Sequence, residues 1–174
     1  VNPESIDIDK IKLFYEYGIN RVSIGIQSSN DEILKSLNRK HTYLDAINCV
    51  KLLKENGIDN ISVDLMYSLP NQDMNILSDT LKDVLGLNVK HISIYSLTIE
   101  ENSVFGKKNI KSLDEDIETD MYELIEKTLT ENAYIHYEVS NYCIEGYQSK
   151  HNLGYWLYDD FLGLSLGASS KINN

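Results

Sequence analysis

The residue types best suited to chemistry stand at or near the ends of three apolar runs rich in β-branched residues. They are Gln27 at the end of 21–27, Asp64 within 60–66 and Thr98 after 91–97. In an open or closed parallel sheet the carboxyl ends of the strands line the ligand site, so we expect these side chains to converge on one rim. An amide, a carboxylate and a hydroxyl at one rim would hydrogen-bond a polar ligand.

Arg39 lies twelve residues after Gln27. A glutamine amide and an arginine guanidinium near one rim can bind a ribose, a carboxylate or a sulfonium-bearing amino acid. The alternative is a solvated Arg39 and a Gln27 that caps a turn. Asp64 lies in an apolar strand, where a carboxylate must be paired or hydrogen-bonded. Arg39 is its candidate partner, and a plain buried ion pair is the alternative to a functional role.

The string His151-Asn-Leu-Gly-Tyr-Trp156 is the most unusual in the chain. A histidine beside aromatic residues can ligate a haem iron through an imidazole nitrogen, with Tyr155 and Trp156 packing on the porphyrin face. The alternative is a hydrogen-bonded packing residue. His91 precedes a strand, and we interpret it as a turn or edge residue.

Helical stretches separate the apolar runs. Helices are predicted over 7–17, 31–37, 42–56, 73–86 and 112–132, a surface loop over 99–111, and a further strand over 134–139. From Val22 to Ile61 is 39 residues and from Ile61 to Ile92 is 31, which suits β-loop-α units with parallel strands rather than hairpins. The sequence therefore predicts an α/β fold.

Composition narrows the classes of function. With 174 residues, 42% of them apolar, the chain can form one domain with a sizeable core, and its net charge of -11 argues against a nucleic-acid partner. No run reaches the roughly 18 apolar residues that span a bilayer, and no signal peptide is visible, so we expect a cytoplasmic protein. Cys49 and Cys143 form neither a disulfide framework nor a metal clip.

Several strings, taken in order, resemble one family. They are Arg21-Val-Ser-Ile-Gly-Ile-Gln-Ser28, Leu37-Asn-Arg39, Val63-Asp-Leu-Met-Tyr-Ser-Leu-Pro70, His91-Ile-Ser-Ile-Tyr-Ser-Leu-Thr-Ile-Glu100, Tyr137-Glu-Val-Ser-Asn-Tyr142, His151-Asn-Leu-Gly-Tyr-Trp156 and Leu162-Gly-Leu-Ser-Leu-Gly-Ala-Ser-Ser170. The chain is similar to the radical S-adenosylmethionine (SAM) family of oxygen-independent coproporphyrinogen III oxidases and to the HemW haem chaperones related to them. The His151–Trp156 string looks like the HNxxYW motif of the chaperones, which favours that branch.

The resemblance implies a partial (β/α)₆ TIM-like barrel in which this chain supplies only the later βα units. Residues 1–111 would form those units, and 112–174 would add a helix, a strand and a Tyr/Gly-rich segment. By the same resemblance Gln27, Arg39 and Asp64 contact SAM, Thr98 makes a further cofactor contact, and Ser169 lies near the adenosine. His151 would bind haem.

Two departures from the family pattern stand out. The CxxxCxxC loop whose thiolates hold a [4Fe-4S] cluster is not in this chain, so no metal ligand is assigned here and the cysteines are expected before Val1. A first residue other than Met also suggests a piece of a longer protein. The second departure is at Ser169, where the chaperones commonly carry His in a Gly-Ala-His-Ser string.

Three functions are compatible with the sequence. The first is a chaperone that binds haem or porphyrin and transfers haem to an unidentified acceptor, which could itself be membrane-associated. The second is an oxidase that uses a SAM-derived radical to decarboxylate coproporphyrinogen III to protoporphyrinogen IX. The third is an inactive barrel fragment. The first two share a fold, so the fold cannot separate them.

Overall fold

Alternation of apolar and polar residues gives the sheet two different faces. The computed structural model describes residues 1–110, 113–164 and 166–172. In these ranges a five-stranded sheet has the order β1-β2-β3-β5-β4. The strands are β1 Val22–Gln27, β2 Ile61–Tyr67, β3 His91–Ser96, β4 Ile135–Glu138 and β5 Asn141–Cys143.

Helices precede, separate and follow the strands. They are α1 Ile8–Glu16, α2 Asp31–Ser36, α3 Tyr43–Glu55, α4 Met74–Gly86, α5 Val104–Lys107, α6 Glu115–Glu131 and α7 Lys150–Trp156. Side-chain caps explain where the longer ones start, as in the capping box of Thr42 and Asp45 on α3. None of the helices in the described ranges is long and apolar enough to cross a membrane.

The first three strands are parallel, as predicted, because β1 pairs with β2 and β2 with β3 in one direction. β4 lies within the strand predicted over 134–139. β5, which we did not predict, runs antiparallel to β3 and to β4 and lies between them. Only two residues separate β4 from β5, and so short a connection can form only a hairpin.

Two further differences lie after β3. The predicted surface loop 99–111 contains the short helix α5, and the predicted helix 112–132 begins at Glu115, where the Asp114 carboxylate accepts a hydrogen bond from the backbone N–H of Asp116. We predicted a boundary between the segments 1–111 and 112–174. Residues 111 and 112 lie outside the described residues, so this boundary stays a prediction. β5 joins the same sheet as β1–β3.

One face of the sheet packs against the helices and forms the core. Ile24, Val63 and Ile92, one from each parallel strand, are fully buried, together with Leu53, Leu81 and Ile125 from helices. Side chains alternate between faces along a strand, so the residues between these positions point the other way. That second face is polar and carries, among others, Ser23, Ser62, Asp64, His91, Ser93 and Asn141.

The backbone of Val1 lies along the outer edge of β1. Its N-terminal amine donates to the Ser23 carbonyl oxygen at 2.7 Å, and the Gly25 N–H donates to the Val1 carbonyl oxygen at 2.9 Å. This pattern is that of a parallel ladder.

Candidate functional site

The polar face of the sheet and helix α7 enclose a cleft of about 200 Å³. Its lining residues are polar, with one tyrosine: Arg21, Ser23, Ser62, Asp64, His91, Ser93, Tyr95, Asn141, Ser149, His151 and Asn152. Hydroxyl, amide, imidazole, carboxylate and guanidinium groups together favour a ligand with several hydrogen-bonding groups. Of the residues assigned roles from the sequence, the cleft brings together Asp64 and His151.

Asp64 is held by a serine rather than by the arginine we predicted. The Ser23 hydroxyl lies 2.8 Å from each oxygen of the Asp64 carboxylate. Arg39 instead donates to the Asn2 side-chain oxygen at 3.4 Å, so the predicted pairing with Asp64 is wrong. The arginine of the cleft is Arg21: burial lowers its pKa, and the charge of Asp64 opposes that shift. The Asp64 carboxylate keeps accepting capacity for a ligand.

The Gln27 side chain lies above Gly25 at the end of β1. Gln27 is buried and has a left-handed backbone, with φ of 72°, where the register of β1 on β2 shifts. A Cβ atom on Gly25 would stand 3.0 Å from the Gln27 amide nitrogen and 3.7 Å from the Asn2 side-chain oxygen. Because Asn2 also contacts Arg39, and Gly25 pairs with Asp64, these groups share one region of the sheet.

Two side chains for which we predicted no role, His41 and Glu118, bind the carboxyl ends of the parallel strands. The His41 Nε2 lies 3.2 Å from the carbonyl oxygen of Ile26, the residue at the register shift of β1. Glu118 on α6 accepts from the hydroxyl of Ser68 at 3.1 Å and from that of Ser96 at 2.6 Å. It therefore ties together the carboxyl ends of β2 and β3.

Thr98 and Ser169 lie apart from the polar cleft. Thr98 is exposed and lines a different cavity, of about 560 Å³, together with Glu118 and Leu113. Ser169 is exposed in the chain after α7. Within the described ranges neither residue lines the cleft that contains Asp64, so their assignment to a cofactor stays a prediction.

His151 lies in the first turn of α7 between two cavities. One is the polar cleft, and the other, of about 140 Å³, is lined by Tyr155 and Phe161 among others. The His151 ring makes an edge contact with Tyr155, with centroids 4.8 Å apart, and Tyr155 makes one with Phe161 at 4.7 Å. The Trp156 indole N–H donates to Glu138 at 3.0 Å. The exposed imidazole thus has a polar side and an aromatic side.

His91 is not a turn or edge residue, and that interpretation was wrong. It begins the central strand β3, and only 2% of its surface is exposed. Its Nδ1 lies 2.7 Å from the Ser62 hydroxyl and its Nε2 lies 2.7 Å from the Tyr137 hydroxyl. Burial lowers the pKa of His91 to about 3, and the neighbouring Arg21 adds to the effect. The imidazole is therefore neutral near pH 7.

One signal in the sequence could have identified the cleft. Polar residues alternate with β-branched ones in all three parallel strands, as in Ser62-Val-Asp64 and His91-Ile-Ser93. Alternation of this kind marks a sheet with one buried apolar face and one polar face. The prediction rested on the strand ends and did not include the polar face between them.

The described residues contain no group of three or more His, Cys, Asp or Glu side chains placed to hold a metal ion. Both cysteines are free and buried, and burial raises the pKa of the Cys49 thiol to about 11. A neutral buried thiol is a poor metal ligand because the thiolate is the binding form. The described cysteines therefore do not fit an iron-sulfur cluster, whereas the polar cleft fits a hydroxyl- and carboxyl-bearing ligand.

Sequence comparisons identify relatives over nearly the whole chain. The family model of the radical SAM superfamily matches residues 1–84. The haem chaperone HemW of Lactococcus lactis is 38% identical over 98% of this chain and 46% of its own length. The HemW proteins of Haemophilus influenzae and Escherichia coli are 39% and 37% identical, again over 98% of this chain and 45% of theirs. The chain spans about half the length of these relatives.

Solved structures share the fold. The radical SAM enzyme coproporphyrinogen III oxidase, HemN, from Escherichia coli matches with a TM-score of 0.84 over 99% of this chain and 43% of its own, at 22% identity. The archaeal Elp3 of Methanocaldococcus infernus matches with a TM-score of 0.65 over 71% of this chain and 30% of its own, at 24% identity. At these identities the likeness establishes a common fold, the partial radical SAM barrel, and nothing further.

Proposed function

This chain belongs to the HemW family within the radical SAM superfamily, and on that premise we propose that the protein binds haem and passes it to an acceptor protein. The observation that carries the proposal is the place of His151, exposed between a polar cleft and an aromatic cavity. A neutral imidazole is a common axial ligand of haem iron.

The size of the cleft bears on how a porphyrin would bind. Its volume of about 200 Å³ lies below the roughly 300–1,000 Å³ of pockets that enclose drug-sized ligands. The macrocycle would therefore lie outside the cleft, on the side of α7 where Tyr155 and Phe161 line the aromatic cavity. Polar substituents of the porphyrin could reach into the cleft.

SAM is the second ligand of the proposal. Gln27, Arg39 and Asp64 would hold it, and Thr98 and Ser169 would make further contacts. The support is the convergence of the first two side chains on Asn2 and Gly25, beside the Asp64 carboxylate. In the superfamily SAM bound at a [4Fe-4S] cluster supplies a 5′-deoxyadenosyl radical. We expect the cluster thiolates in a CxxxCxxC loop of the full-length protein and not among the residues described.

Titration of the full-length protein with haemin tests the proposal. We expect saturable binding at one haem per chain with a shift of the Soret band, and we expect His151→Ala to weaken it by roughly tenfold or more because the axial ligand is lost. The matched control is His136→Ala, a histidine that stacks on Tyr142 and does not line the cleft in the described structure. An unchanged Soret shift in His151→Ala would contradict the proposal.

An anaerobic assay separates the chaperone from the oxidase. The proposed chaperone is expected to form no protoporphyrinogen IX from coproporphyrinogen III, even when the cluster is reconstituted and SAM is present. Turnover in this assay would favour the oxidase instead. The third possibility, an inactive barrel, would give neither turnover nor haem binding in the full-length protein.

A further inference from the structure

Helix α7 is not fixed by an apolar face. Among its described residues, Lys150–Trp156, none is buried. Polar contacts hold it instead, at its first turn and through the Trp156 indole N–H that donates to Glu138. His151 lies in the first turn of α7. The direction of its imidazole therefore depends on the groups that hydrogen-bond to the start of this helix.

The Tyr137 hydroxyl on β4 is one of those groups. It accepts a hydrogen bond from the backbone N–H of Ser149 at 3.2 Å, and Ser149 is the N-cap of α7. Burial raises the pKa of Tyr137, and the hydrogen bond from the Ser149 backbone opposes that shift. The backbone at the start of α7 therefore contacts this hydroxyl oxygen directly.

His91 fixes this hydroxyl from the opposite side. Its Nε2 lies 2.7 Å from the Tyr137 oxygen, and its Nδ1 lies 2.7 Å from the Ser62 hydroxyl on the neighbouring strand. A neutral imidazole has one donor and one acceptor, so both of its bonds can be made at once. A shift of the Tyr137 hydroxyl would leave a buried nitrogen of His91 without its hydrogen bond, which is costly.

We propose that Tyr137 and His91 are positioning residues that hold α7 so that His151 presents its imidazole for haem ligation between the cleft and the aromatic cavity. The proposal rests on the proposed haem-binding function, but the placement of α7 can be measured without haem. A chain of contacts therefore runs from the centre of the sheet, through Ser62, His91 and Tyr137, to the helix that carries the proposed ligand.

The test compares Tyr137→Phe with the wild type in the full-length protein. The variant keeps the ring and loses the hydroxyl. Without haem, we expect hydrogen exchange of the backbone amides in 150–156 to become roughly tenfold faster. With haemin, we expect roughly tenfold weaker binding and a displaced Soret maximum, because the imidazole no longer meets the iron in one fixed geometry.

The matched control is Tyr122→Phe. Tyr122 is also a tyrosine next to a histidine, with its ring centroid 6.4 Å from that of His136, but it lies on α6 and lines a cavity on the helix-covered face of the sheet. We expect it to change neither the exchange of 150–156 nor the Soret band. Equal effects in both variants would show a general loss of stability and would overturn the proposal.

Variants of His91 give a rescue experiment. His91→Gln keeps one donor and one acceptor and should retain most of the wild-type Soret position, whereas His91→Leu should resemble Tyr137→Phe. If Tyr137→Phe kept both the wild-type rate of hydrogen exchange in 150–156 and the wild-type Soret band, the positioning role would be overturned. Undiminished haemin binding in His151→Ala would overturn the proposed function, and the exchange of 150–156 in Tyr137→Phe would still decide the positioning role.

Discussion

His91 is a neutral base beneath the polar cleft. Its pKa of about 3 in the folded protein results first from burial and second from the nearby Arg21 guanidinium. The ordinary value of a histidine in an unfolded chain is near 6.5. Between these two values the unfolded chain binds a proton at His91 and the folded chain does not. Folding stability is therefore linked to pH in this window.

The sign of the linkage gives a prediction. The free energy of unfolding should fall as the pH is lowered from about 6.5 towards 3, with a contribution from His91 of at most about 1.4 kcal/mol per pH unit. His91→Gln has no proton to bind, so its stability should depend less steeply on pH. Denaturant unfolding at several pH values in this window measures the difference between the two slopes.

His136→Gln is the control for this measurement. It removes a histidine that stacks on Tyr142 and does not contact Ser62 or Tyr137 in the described structure. We expect the slope of this variant to stay close to that of the wild type. A His91→Gln slope equal to the wild-type slope would show that the buried imidazole is not the group responsible.

At the scale of elements, Gly25 leaves space near the end of β1 for the side chain of Gln27. Gly25 has an ordinary backbone conformation, so its role is one of space: the Gln27 amide lies where a methyl group would crowd it. Around the last residue of α4, Gly86, no described atom outside its chain neighbours and its own helix backbone lies within 4 Å of the Cβ position. The same substitution should therefore have opposite consequences in these two elements.

Gly25→Ala should displace the Gln27 amide and weaken SAM binding by roughly fivefold, the effect of one hydrogen bond, with a smaller effect on folding. Gly86→Ala should leave SAM binding unchanged and stabilise the protein by about 0.5–1 kcal/mol, because it reduces the freedom of the unfolded chain. Calorimetric titration with SAM and thermal melting of the full-length protein measure both. Wild-type affinity in Gly25→Ala would argue against Gln27 as a SAM contact.

The sequence was sufficient to predict the three parallel strands of the sheet. β1, β2 and β3 begin and end within one residue of the predicted runs, because short runs rich in β-branched residues favour strands. β5 has three residues, too few to show a period, and was not predicted. The bond between Ser149 and Tyr137 joins a loop to a strand, and no local pattern encodes such a pairing.

At the scale of the whole molecule, the segment after α7 exposes many apolar side chains. Tyr158 is 74% exposed and Leu164 is 81% exposed, and Leu157, Leu162 and Leu166 are also exposed. Isolated exposed apolar residues are common, but a run of them favours association. The net charge of -11 opposes association only through long-range repulsion, which salt screens.

The 174-residue chain is therefore expected to self-associate in solution, more strongly as salt is raised. Replacing Leu164 and Leu166 together by Ser should shift it towards the monomer. Leu44→Ser is the control, since Leu44 is exposed on α3, far along the chain from that segment, and should not matter. Sedimentation velocity measures the species present, and a wild-type chain that stays monomeric at high salt would refute the expectation.

The bonds that close the polar cleft also set the order in which it can form. Arg21 donates to the carbonyl oxygen of Tyr147, 126 residues further along the chain, whereas β1 and β2 pair across only the two helices α2 and α3. Contacts between residues far apart in sequence form late, since the loop they close must first be ordered. During synthesis the βα units can fold as they emerge, but the cleft cannot exist until the ribosome has released residue 149 and the start of α7.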